Sequence, residues 1–391
     1  MFTVRKMNKI APIGLQQLDG SRFVCSDDAE NPEGILVRSA SLHEYDFDAN
    51  PQLRAIARAG AGTNNIPLSA CSERGIVVFN TPGANANAVK ELVLAGLLLA
   101  ARNILPAVEW AKENLPGKGE EIPKLVEKGK GSFAGRELRG KKLGVIGLGA
   151  IGIQIANAAA ALDMEVLGYD PYLTVEAAWK LSHSVRPVVS VEKIYKECDF
   201  ITVHVPLTPD TRGSFNADVF ARMKEGVVFL NFARGELVES ADLKTALESG
   251  RVACYVTDFP GKDTFDLPHT IAIPHLGAST EEAEDNCAVM ACRQLQDYFL
   301  NGNIVNSVNF PTVSCERSAG ARVCVLHRNR PGAIEMLSGI LAREGVNIEN
   351  ITSKAKGDNA YTMIDTDRTE IRAEAQEAIR SADVVMRVVV L

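Results

Sequence analysis

The sequence predicts an α/β protein: two doubly wound parallel sheets followed by a small four-stranded domain. Three observations predict it. Short apolar runs alternate with helical patterns through about the first three hundred residues, the order that builds parallel sheets. One of those runs, Leu143–Leu148, carries Gly147 and leads to Gly149 and Gly152 at G-x-G-x-x-G spacing, then to an Ala-rich helical segment. About seventy residues at the end read β-α-β-β-α-β.

A chain of 391 residues exceeds what one hydrophobic core supports, so several domains are expected. At 46% apolar and 23% charged, it has the composition of a soluble globular protein. The net charge of −7 argues against a nucleic-acid partner. No apolar run has spanning length, and the opening MFTVRKMNKIAPIG lacks the apolar core of a signal peptide, so a cytoplasmic protein without a membrane partner is expected. The eight cysteines form no C-x-x-C and read as reduced thiols. The six histidines do not cluster with them, so no metal is expected.

Taken in order, Phe23–Cys25, Gly34–Arg38, Leu53–Arg58 and Ile76–Asn80 read as strands of a first α/β unit without a phosphate fingerprint. Turns at residues 60–65 and 81–85 follow strands, where open α/β sheets bind ligands. An apolar helix from Asn87 to Asn103 reads as a core or subunit-contact helix. Pro116–Lys142, rich in Gly and Lys, reads either as a solvated loop or as a cationic rim that steers an anionic substrate.

At the fingerprint, Gly147 permits the tight turn, Gly149 lets backbone approach a pyrophosphate, and Gly152 lets the helix Ala150–Leu162 pack on its strand. The next strand, Glu165–Tyr169, ends at Asp170, eighteen residues after Gly152. A carboxylate there accepts from a ribose 2′-hydroxyl and repels a 2′-phosphate, which points to NAD rather than NADP. Four more strands, Asp199–Val205, Val227–Phe232, Val252–Thr257 and Thr270–Ile273, extend this Rossmann-like sheet, and each ends in polar residues. After a helix, Thr280–Leu300, and a linker, Gly302–Ser318, the closing segment is ferredoxin-like. The expected domains are residues 1–97 with 279–311, residues 98–278, and residues 321–391.

The fingerprint, His204-Val205-Pro206-Leu207-Thr208, Asn231-Phe232-Ala233-Arg234-Gly235 and Pro274-His275-Leu276-Gly277-Ala278-Ser279-Thr280 together resemble the D-2-hydroxyacid dehydrogenases over nearly the whole chain. Within that family, the run from Pro274 and the C-terminal domain are similar to the branch that oxidises 3-phosphoglycerate to 3-phosphohydroxypyruvate, the first step of L-serine synthesis. The resemblance implies His275 as general base, for which imidazole suits neutral pH. It implies Arg234 as anchor of the substrate carboxylate, a task for a planar fork.

In the family a glutamate pairs with the histidine. Asp263 stands five residues beyond Asp258, where that glutamate is usual, and Asp266 is its rival. The resemblance also places Asp258 at the nicotinamide end and Ala150, Ile151, Val205, Pro206, Phe232, Ala233, Gly277 and Ala278 along the cofactor. Arg38 and Ser39, with the amides of Gly60, Ala61 and Gly62, resemble phosphate and carboxylate binders. Residues 321–391 resemble ACT regulatory domains, in which His327, Asn329 and Asn347 match a site for L-serine between paired domains. A homodimer or homotetramer is expected. Oxidation of another D-2-hydroxyacid, or a non-catalytic NAD-sensing regulator, are the alternatives.

Overall fold

The computed structural model describes residues 1–391. The chain divides into two compact units, Met1–Asn85 with Glu281–Leu391, and Ala86–Thr280. The division falls at the start of the helix Ala86–Arg102, which a boundary at 97/98 would cut, and the C-terminal domain groups with the first unit.

The first sheet contains β1 (Phe2–Lys6), β2 (Phe23–Ser26), β3 (Gly34–Val37), β4 (Ala55–Arg58) and β5 (Val77–Phe79) in the order β2-β1-β3-β4-β5. All four ladders are parallel. The sequence reading missed β1, because Thr3, Arg5 and Lys6 break its apolar signal, yet it lies between β2 and β3 with Val4 fully buried. Strands β3 to β5 are buried on both faces, as parallel strands between helices must be. The helix Glu281–Asn301 covers β3 and β4 with a stripe that includes Cys287, Ala291, Leu295 and Phe299. Chain order reverses between β1 and β3, which opens a crevice where the loops after them begin, at Met7 and Arg38.

The second unit holds seven parallel strands: β6 (Lys142–Ile146), β7 (Glu165–Tyr169), β8 (Arg186–Pro187), β9 (Phe200–Val203), β10 (Val227–Asn231), β11 (Val252–Thr257) and β12 (Thr270–Ala272). Their order is β12-β11-β10-β9-β6-β7-β8, which puts the switch point between β9 and β6. The helix Ala86–Arg102 packs on β10 and β11 and stops where Asn103 turns left-handed (φ 48°). A second helix, Ile104–Asn114, continues at 64° to it. No single helix is long and apolar enough to cross a membrane.

The stretch 116–142, read from its Gly and Lys content as a loop or rim, instead contains a helix, Ile122–Gly129, between 3-10 turns at Gly119–Glu121 and Lys130–Phe133. Pro123 opens that helix, and Phe133 closes the excursion by packing on Trp110, ring centroids 5.7 Å apart. Its Ile122, Leu125 and Val126 supply a helical apolar period that the surrounding lysines obscured.

The third sheet is the expected β-α-β-β-α-β: β13 (Arg322–Arg328), β14 (Ile348–Lys356), β15 (Asn359–Thr366) and β16 (Val385–Val390), with helices Ala333–Arg343 and Ala373–Arg380. The order β14-β15-β13-β16 is antiparallel throughout. Arg322, wholly buried, forks onto Asp365 at 2.6 and 3.0 Å and donates to the carbonyls of Asn301, Cys315 and Glu316. Tyr361 donates its hydroxyl proton to the Gly302 carbonyl at 2.6 Å. The sheet is thereby fastened to the end of the helix Glu281–Asn301.

Candidate active site

Six neighbouring strands of the second unit, β12, β11, β10, β9, β6 and β7, deliver the candidate residues at one sheet edge. At β6 the turn is shaped by close approach. Gly147 has φ 93°, and a Cβ there would lie 2.7 Å from the His204 carbonyl oxygen; a Cβ on Gly152 would lie 1.9 Å from the Gly147 carbonyl oxygen. The helix that follows, Ala150–Ala161, has no side-chain cap at its N-terminus, and Gly149 and Ala150 there are exposed. Its first amides are therefore available to an anion. Asp170, at the end of β7, steadies the turn by accepting from the Leu148 amide at 2.8 Å. After β9, His204 bonds the Thr202 hydroxyl through Nε2 at 2.8 Å, while its buried Nδ1 has no partner. Burial lowers its pKa to about 3, so the ring is neutral.

Beyond β10, the buried Asn231 accepts from the Ala233 amide at 3.1 Å and donates to the Arg234 carbonyl at 2.8 Å. That brace makes the turn on which Arg234 stands exposed. Beyond β11, Asp258 is 1% exposed; its Oδ2 accepts from the Gly277 amide at 3.1 Å and its Oδ1 has no partner. Burial pushes the Asp258 carboxyl up, against the Gly277 amide and the charges of His275 and Arg234. Asp258, Phe259, Gly235 and His275 line an open pocket of about 650 Å³.

The structure brings His275, Arg234 and Asp258 together, and it corrects the expectation for Asp263. No hydrogen bond or ion pair joins Asp263 to His275; Asp263 is an exposed residue that starts the 3-10 turn Thr264–Asp266. Nor does the rival Asp266 reach it: its amide bonds the Asp263 carbonyl within the same turn. The Gly261 amide bonds the Thr264 hydroxyl at 2.7 Å, folding residues 261–264 back on themselves.

In the first unit, Arg38 and Arg58 stand at neighbouring strand ends, since Val37 pairs with Arg58 across β3 and β4. Arg38 forms an ion pair with Glu284 at 2.6 Å. The amides of Arg38, Ser39 and Ala40 all donate to Asn8 Oδ1 at 2.8–3.2 Å, which fixes the turn that carries Arg38 and the exposed Ser39. Arg58, which sequence reading missed, donates to Asn65 Oδ1 at 3.1 Å and lies against Gly60, where a Cβ would meet its guanidinium at 2.3 Å. Its only sequence signal was an arginine directly before the turn at residues 60–65.

Comparison with known proteins is consistent with this geometry. Residues 94–277 match the family model described as D-isomer specific 2-hydroxyacid dehydrogenase, NAD binding domain, and residues 322–384 match the ACT domain. The chain thus carries the NAD-binding domain of the D-2-hydroxyacid dehydrogenases, followed by an ACT domain. It is 36% identical over 309 residues to D-3-phosphoglycerate dehydrogenase of Methanocaldococcus jannaschii, covering 77% of this chain and 56% of that one. It is 34% identical over 335 residues to the Bacillus subtilis protein of the same name, covering 82% and 61%. The chain thus spans between half and two thirds of the length of these curated relatives. Among solved structures, NAD⁺-bound 3-phosphoglycerate dehydrogenase of Entamoeba histolytica matches with a TM-score of 0.62 and 26% identity, over 79% of this chain and 98% of that one.

The dehydrogenase site fits NAD on its own chemistry. An uncapped helix N-terminus stands beside Gly149, whose Cβ would meet nothing within 4 Å, and the orphaned Asp258 Oδ1 is a buried acceptor awaiting a donor. In the ACT domain, Asn329 and Asn347 are exposed in the loops after β13 and before β14. His327 corrects its expectation. It is 3% exposed, with Nδ1 at 2.9 Å from the Arg328 carbonyl and Nε2 at 2.8 Å from the Thr362 hydroxyl, so both ring nitrogens are engaged inside the sheet. The sequence matched its spacing but not its direction, because β13 is buried at six of its seven positions.

Proposed function

We propose that this dehydrogenase oxidises 3-phosphoglycerate to 3-phosphohydroxypyruvate. The observation that carries the reading is the pocket lined by the exposed His275 and the buried Asp258, whose carboxyl also feels the charge of the exposed Arg234. Bound NAD supplies the acceptor for the hydride that leaves the substrate's carbinol carbon. The amides of Ala150 and Ile151, the carboxylate of Asp170, and Val205, Pro206, Phe232, Ala233, Asp258, Gly277 and Ala278 are the residues proposed to hold it. His275 accepts the hydroxyl proton as the carbonyl forms, and Arg234 binds the carboxylate with its fork and draws charge toward the forming carbonyl.

Arg38 and Arg58, two cations at adjacent strand ends, are proposed to bind the substrate phosphate with Gly60, Ala61 and Gly62. L-Serine is proposed to bind the ACT domain at Asn329 and Asn347. Self-association as a dimer or tetramer is supported by exposed Leu98, Ile104, Leu105 and Val108 on the two helices that meet at Asn103. A cytoplasmic setting is supported by eight unpaired cysteines.

The test follows NADH absorbance after 3-phosphohydroxypyruvate is added to the purified protein, with and without L-serine. Oxidation that serine slows supports catalysis and regulation together. Oxidation indifferent to serine removes the regulatory reading. A folded protein that binds NADH and oxidises none removes 3-phosphoglycerate as substrate.

A further inference from the structure

In this chain the group that touches the catalytic histidine is an aromatic ring. The Phe259 ring centroid lies 4.4 Å from that of His275, with the planes tilted by 43°, and the Arg234 guanidinium carbon lies 5.3 Å from the same Phe259 centroid. Phe259 is itself fixed: its amide donates to Thr257 Oγ1 at 3.0 Å, directly at the end of β11. A Cβ on Gly235 would stand 3.2 Å from the Phe259 carbonyl oxygen, so the turn that carries Arg234 runs against the loop that carries Phe259. The charged groups around this cluster are few. Asp258 acts on His275 and Arg234 through space while its Oδ2 holds the Gly277 amide, Glu236 lines the same pocket, and Asp263 makes no bond to the imidazole.

We propose that Phe259 is the positioning residue of this site, packing His275 on its ring and holding Arg234 by a cation–π contact, in the place where a carboxylate would otherwise brace the histidine. A π face attracts cations, so the same ring favours the imidazolium that forms as His275 takes the hydroxyl proton, and it restrains the guanidinium that meets the carboxylate. Phe259 touches no reacting atom; it acts through the two residues that do. The inference rests on the roles proposed above for His275 and Arg234.

The test compares Phe259→Leu, which keeps apolar bulk and loses the π face, with Phe259→Tyr, which keeps the ring. F259L is expected to lower kcat about 10-fold and raise the KM for the hydroxyacid several-fold, with the NADH Kd held within about twofold, and F259Y is expected to recover most of both losses. In parallel, histidine-labelled protein gives one imidazole resonance that is missing in His275→Ala. That resonance is expected to be displaced by the Phe259 ring current and to move toward the exposed-histidine position in F259L, with no substrate present. If F259L matches F259Y in kcat, KM and resonance, Phe259 only fills space and the inference falls. If H275A is inactive while F259L is unaffected, the inference alone fails. Wild-type turnover by H275A removes the base, and the inference with it. In a protein that turns over no hydroxyacid, an undisplaced His275 resonance is sufficient to overturn it.

Discussion

Asn231 makes two bonds that belong to no regular element, one to the Ala233 amide and one to the Arg234 carbonyl, and through them it sets where Arg234 leaves the sheet. Asn231→Ala strips both of these and the bond to the Tyr255 hydroxyl at a fully buried position, so a loss of about 2 kcal/mol in stability is expected, with a fall in kcat/KM larger than the folded fraction explains. Denaturant unfolding and steady-state kinetics on one preparation check both. Asn8 and Asn65 brace the loops around Arg38 and Arg58 in the same way. None of the three was legible in the sequence, because an asparagine's partners depend on turn dihedrals that its neighbours alone do not determine. His275 and Arg234 were legible, since their motifs place them at strand ends whatever the loop does next. Asp263 misled for the converse reason: its offset from Asp258 fits the family, but the Gly261–Thr264 turn carries it away.

His204 gives a pH dependence with a definite sign. Its folded pKa falls from the ordinary 6.5 to about 3, so between those values the unfolded chain binds a proton that the folded chain refuses. Its contribution is full above about pH 6.5 and is lost as pH falls toward 3, at up to about 1.4 kcal/mol per pH unit. Replacing His204 by Gln is expected to flatten the acid limb of thermal stability measured from pH 7 to pH 4; an unchanged limb would show that other groups set it.

Among the elements, the two that the sequence specified most firmly are those whose local chemistry leaves one solution. The fingerprint turn needs glycine at 147 for its positive φ and at 152 for the helix to reach the strand. Gly152→Val is expected to push the helix off β6 and abolish NADH binding, as read by fluorescence titration, while far-UV dichroism changes little. The C-terminal β-α-β-β-α-β was legible because alternation and helical period switch cleanly at each loop. By contrast, β1 was hidden by its half-buried Arg5 and Lys6, and the helix Ile122–Gly129 by Lys124, Glu127 and Lys128 on its exposed face. The Arg322–Asp365 pair lies inside this scale as well. Removing one partner leaves the other buried and unpaired, so Arg322→Leu is expected to cost about 3–5 kcal/mol, and adding Asp365→Leu to restore part of it. Equal losses in the single and double variants would assign the cost to the three carbonyls that Arg322 also serves.

For the whole molecule, the chain builds one unit, leaves it at Asn85, completes a second, and returns at Glu281. The expected first domain already takes in residues 279–311, and the helix Glu281–Asn301 carries that return by packing on β3 and β4. A ribosome delivers residues in order, so the five strands of the first sheet emerge without the helix that covers them, and their apolar face stays wet until residue 301 is free. The uninterrupted stretch Ala86–Thr280 has every strand of its own sheet in hand by then. Vectorial synthesis therefore completes this protein from the middle outward, and the N-terminal segment is the one that a nascent-chain chaperone has most reason to shield.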